Sequence, residues 1–133
     1  MITKYDLMRY RIEQAKERLA SAQREMNSGS FTTALNRSYY CIFQAMRAVL
    51  AIDEFDSKKH SGVISYFRQN YIKTGMFNVK FSNIIGDAFR IRNDSDYEDF
   101  YVVVKSDVEE QIKNAEMFLE AVMKYLNNIS EDG

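Results

Sequence analysis

Proline is absent from all 133 residues, and glycine appears only five times. Tight turns draw heavily on both, so a β-sandwich or barrel, which needs many of them, is excluded at the outset. Long helices joined by few connections remain, and the hydrophobic spacing agrees. A first segment, about residues 4–27, sets Met8, Ile12, Ala15, Leu19, Ala22 and Met26 at 4-3-4-3-4 intervals. A last segment, about 107–128, repeats the rhythm with Val108, Ile112, Ala115, Leu119, Val122 and Leu126. Seams of this period pack helices at shallow crossing angles. Thr3 with Asp6, and Ser106 with Glu109, have capping-box spacing. Gly29 stops the first helix, and Ser30 can cap the next.

The segment at about 31–51 is apolar nearly all round, through Tyr39, Tyr40, Cys41, Ile42, Phe43, Ala45, Met46, Ala48, Val49 and Leu50. Such a helix is central, covered by several neighbours or by a second copy. A third helix is expected over about 59–73, ended by Thr74 and Gly75. A fourth, about 79–93, turns Phe81, Ile84, Ile85 and Ala88 inward. Residues 94–105 read as a loop or extended connection, because the β-rich YVVV has no second strand to pair with. The expected fold is all-α, an up-and-down bundle of four to five helices, forming one domain over residues 1–133.

Composition narrows the chemistry. Hydrophobic residues at 46% and charged ones at 28% suit a soluble globular chain. One cysteine and one histidine exclude a disulfide framework, a cysteine-rich zinc site and any two-histidine site within one chain. No metal and no cofactor is expected. No apolar run reaches about 18 residues, and the N-terminus is charged, so a cytoplasmic protein without a membrane partner is expected. The net charge of -1 hides a polarity. Residues 1–92 hold 15 Lys and Arg against 8 Asp and Glu, a net of +7; residues 93–133 hold 3 against 11, a net of -8. Either an acidic last helix lies over basic neighbours, or a basic surface serves an anionic ligand.

A few residues break the pattern. Arg92 follows Ala88 where the fourth helix's next core residue belongs, and Asn93, Asp94, Asp96 and Tyr97 come directly after it. It is either anchored to Asp96 at the helix end or aimed into a groove. Arg37 falls on the inward face of the second helix, with Tyr40 close to it on the helix surface. Two inward arginines can flank one anion or pair separately with carboxylates. His60 opens the third helix behind Lys58 and Lys59; a helix N-terminus keeps an imidazole neutral and makes a modest anion site. Cys41, in an apolar helix, reads as core.

Three runs carry a resemblance: ALNRSYYCIFQA at 34–45, KHSGVI at 59–64 and RNDSDY at 92–97. Together they resemble the HEPN domain, in its small stand-alone prokaryotic branch with an Arg-Asn-x-x-Asp-Tyr signature. The similarity spans about residues 5–128. It implies a helical bundle that dimerises and brings two motif copies into one cleft. It also implies metal-independent ribonuclease chemistry of the toxin–antitoxin kind, often alongside a minimal nucleotidyltransferase that can adenylylate a tyrosine near the motif. By that resemblance the catalytic candidates are Arg92, Asn93, Asp96 and Tyr97. The ligand-binding candidates are Arg37, Tyr40, Lys59, His60 and Arg92, for a nucleotide or single-stranded RNA. The usual signature ends in a histidine four to six residues beyond the arginine and its neighbour; here the window reads Tyr97, Glu98, Asp99. The phosphate-binding part carries over directly, giving a binding module that works with the nucleotidyltransferase. The alternative is a ribonuclease with a variant site in which Arg92, Asp96 and Tyr97 act with or without His60; His60 can stand in for the motif histidine only where the fold brings it to Arg92.

Overall fold

The computed structural model describes residues 1–129. It is an all-α bundle, with no strand among the described residues. Helix α1 spans Lys4–Asn27, and its capping box is formed. The Thr3 hydroxyl accepts from the Asp6 N–H at 3.1 Å, and the Asp6 carboxylate accepts from the Thr3 N–H at 2.8 Å. Gly29, at φ 84°, takes the left-handed turn that starts α2, Phe31–Ile52. Ser30 stands at the N-cap of α2, but its hydroxyl makes no capping bond.

Helix α3, His60–Phe67, runs into a π-helical turn over Arg68–Ile72, together matching the expected third helix. Helix α4 spans Lys80–Tyr97 and α5 spans Lys105–Asn127. Two expectations are corrected here. Helix α4 runs four residues past 93, so RNDSDY is helical. Side-chain pairs at i,i+4 carry it on: Arg92 with Asp96 at 3.2 Å and, more loosely, Arg90 with Asp94 at 3.9 Å. The Ser106–Glu109 capping box does not form, because α5 begins at Lys105 and Ser106 is already in its first turn. Residues 101–104 are the extended connection expected of YVVV.

Helix α2 is the central element. Thirteen of its residues are buried, from Ala34 to Ala51, and α1, α4 and α5 pack around it. The seams of α1 and α5 supply Ile12, Ala15, Ala22, Ala115, Leu119 and Val122 to that contact. One polar graft lies inside: the Gln111 amide donates to the Leu35 carbonyl at 3.1 Å and to the Ser38 hydroxyl at 2.8 Å. It ties α5 to α2 with every exchanged hydrogen bond buried. No helix of the described residues is long and apolar enough to cross a membrane.

Candidate functional site

Three elements converge on a pair of adjacent tyrosines in the middle of α2. Consecutive helical positions are about 100° apart, so Tyr39 and Tyr40 cannot share one direction. Tyr39 is fully buried, whereas Tyr40 is half-buried. Helix α3 brings His60 to this pair from one side. Its Nδ1 lies 2.7 Å from the Tyr39 hydroxyl, and its ring stacks on Phe43 with centroids 4.1 Å apart. Tyr40 meets the same imidazole edge-on at 5.9 Å.

Helix α4 brings Arg92 from the other side. Its guanidinium carbon sits 5.4 Å from the Tyr39 ring centre and 5.6 Å from that of Tyr40, within cation–π range. One Nη donates to the Tyr40 hydroxyl at 3.1 Å, and the other to the Asn93 side-chain oxygen at 3.3 Å. Nε lies 3.2 Å from an Asp96 oxygen, close enough for charge attraction but not aligned to donate to it. The guanidinium is therefore oriented by Tyr40, Asn93 and Asp96. One N–H on each terminal nitrogen is left over, a fork suited to a phosphate.

Electrostatics fix the protonation states. Burial lowers the His60 pKa below its ordinary 6.5, and the positive charges of Arg92 and Arg47 lower it further. The imidazole is neutral at pH 7, as its place at the start of α3 suggests, though burial and arginines are the stronger causes. Burial pushes the Tyr39 phenol far up against the pull of Arg92, so it keeps its proton. It can accept from Nδ1–H or donate to bare Nδ1; in the first arrangement Nε2 is free to take a proton. Cys41, fully buried, has its thiol pushed up to about 12 by burial and by Glu116, so it is core.

The structure gathers Tyr40, His60, Arg92, Asn93 and Asp96 into one cluster. Arg37 is half-buried, not inward, and lies one turn before Tyr40 on α2 with no ion pair among the described residues. Lys59 is exposed at the N-cap of α3, beside His60. Tyr97 stands apart, 79% exposed at the end of α4. Sequence reasoning missed Tyr39 and Phe43 as the surfaces that seat His60, because both read simply as core. It also missed Arg11, which is 6% exposed and whose place in the α1 seam, between Met8 and Ala15, was the available signal.

No group of His, Cys, Asp and Glu among the described residues has the arrangement of a metal site. A comparison with known families matches residues 8–126 to the family described as HEPN domain. Two proteins of Methanocaldococcus jannaschii, each carrying the name "Putative toxin", are 32% and 30% identical to the chain. Those alignments cover 86% and 89% of this chain, and 78% and 87% of the relatives. A UPF0332 protein of Thermotoga maritima is 29% identical over 97% of this chain and 98% of its own. With its helical bundle and a family match over nearly its whole length, the chain belongs to the HEPN domain family.

Proposed function

We propose that the chain is a HEPN toxin that cleaves single-stranded RNA without a metal ion. The observation that supports this most is the seating of His60 and Arg92 on the same tyrosine pair. In this reading His60, from α3, serves as the imidazole that the segment after Arg92 lacks. The free fork of Arg92 takes the scissile phosphate, with Arg37 and Lys59 as flanking charges. Neutral His60 takes the proton of the ribose 2′-hydroxyl as that oxygen bonds to phosphorus. The bond from phosphorus to the 5′-oxygen breaks, that oxygen takes a proton from water, and a 2′,3′-cyclic phosphate remains. Arg92 stabilises the charge that gathers on the phosphoryl oxygens.

The working unit in this reading is a homodimer. The connection from α4 to α5 supports it: Phe100 is 99% exposed and Val102 76% exposed, an apolar surface that a second copy would cover. A second reading, a binding module paired with a minimal nucleotidyltransferase, draws on Tyr97, whose exposed phenol at the end of the motif helix is open to modification. RNA incubated with the protein in EDTA separates the two. Cleavage that disappears in Arg92→Ala supports the nuclease; RNA bound but intact at enzyme excess supports the module.

A further inference from the structure

We propose that Asp56 is a positioning residue for His60, the centre of a strap that ties the α2–α3 loop to α1 and α2 and so sets where α3 begins. One oxygen of its carboxylate accepts from Arg47 at 2.9 Å and from Arg11 at 3.3 Å. Arg11, nearly buried in α1, also donates to the Arg47 backbone carbonyl at 2.9 Å, so the two arginines are locked together. The other carboxylate oxygen accepts from the Ser57 N–H at 2.8 Å, and the Ser57 hydroxyl in turn accepts from the Lys59 N–H at 3.2 Å. Lys59 is the N-cap residue and His60 the first residue of α3. Gly62 completes the strap, because a Cβ there would collide with the Ser57 hydroxyl.

A second connection runs through side chains. Arg47 lies over the Phe43 ring at 5.9 Å, and Phe43 stacks on His60. The strap therefore fixes both the backbone that carries the imidazole and the ring on which it rests. Placing a nearly buried cation beside a second cation is costly unless a carboxylate serves both, and Asp56 does. The titratable and charged groups facing His60 are Tyr39, Tyr40 and Arg47 from α2 and Arg92 from α4. Without the strap the imidazole moves toward water and away from them.

His60 is the only histidine, so its ring protons give a single NMR titration. In the wild type the midpoint is expected below 6.5, because burial and the charges of Arg92 and Arg47 disfavour the imidazolium. Asp56→Ala is expected to raise it toward 6.5, and so is Gly62→Ala, which evicts the Ser57 hydroxyl. Asp56→Asn, whose single amide oxygen cannot serve both the arginines and the Ser57 N–H, is expected to fall between the wild type and Asp56→Ala. A midpoint unchanged or lowered in Asp56→Ala overturns the proposal. Amide exchange tests the strap with no substitution at all: Ser57 and Lys59 are expected to exchange at least about tenfold more slowly than Lys58. Equal rates at the three amides refute it. The consequence for RNA rests on the nuclease reading, whereas these measurements do not. If the midpoint moves in Asp56→Ala while RNA cleavage is unaffected, the strap stands and His60 is not the proton acceptor.

Discussion

At the scale of single residues, Arg92 and His60 differ in what each is held for. Arg92 is held in direction: Tyr40, Asn93 and Asp96 fix its plane, so a lysine keeps the charge but loses the fork. Arg92→Lys is expected to lower RNA cleavage by roughly 10²-fold or more. A melting temperature that falls far less than the activity separates this loss from unfolding, since the lysine keeps the charge beside Asp96. His60 is held in protonation state. Below pH 6.5 the unfolded chain takes up a proton that the folded imidazole resists, so the native state loses stability as pH falls from 6.5 toward the lower folded value. Denaturant unfolding followed from about pH 7 to about pH 5 should show that slope in the wild type, and His60→Gln should lack His60's part of it. Their company was legible only in part: the spacing offered Asp96 as an anchor for Arg92, and that pair forms. The spacing of Arg92 marked it as out of place, but its meeting with His60 depends on how α3 and α4 cross α2, which no local pattern records.

At the scale of elements, what could be read was what is local. The seams of α1 and α5, the all-apolar α2 and the Thr3–Asp6 capping box depend on neighbours a turn apart, and all are present. The end of α4 was misjudged for one reason. Hydrophobic periodicity stops at Ala88, and charge pairs then carry the helix to Tyr97. The π-helical turn at Arg68 leaves no hydrophobic mark; its guanidinium reaches the Ser82 carbonyl at 2.8 Å across space that Gly86 keeps clear. The packing of α2 makes strong demands. Met46 is fully buried, so Met46→Ala should cost about 2–5 kcal/mol in chemical unfolding. Gln111→Leu removes the buried link from α5 to Leu35 and Ser38 and should cost about 1–3 kcal/mol.

At the scale of the whole molecule, the division of charge takes a definite place. The sign changes between Arg92 and Asn93, so the fork proposed to take an anion stands at the sequence border of the +7 and -8 parts. On the proposed function, Asp94, Asp96, Glu98 and Asp99 beside it disfavour a long, uniformly charged backbone and leave a locally engaged single strand as the expected ligand. The exposed Phe100 lies just past this border. The proposed dimer predicts that the wild type sediments as a dimer and Phe100→Asp as a monomer of unchanged helical content. The pairing of His60 with Arg92 is tested most directly by single-stranded RNA incubated with excess protein in EDTA, using the wild type, His60→Ala and Arg92→Ala. Cleavage by the wild type to 2′,3′-cyclic phosphate ends, lost in both variants while their folds persist, is the expected result. Intact RNA with the wild type, or cleavage that survives His60→Ala, contradicts it.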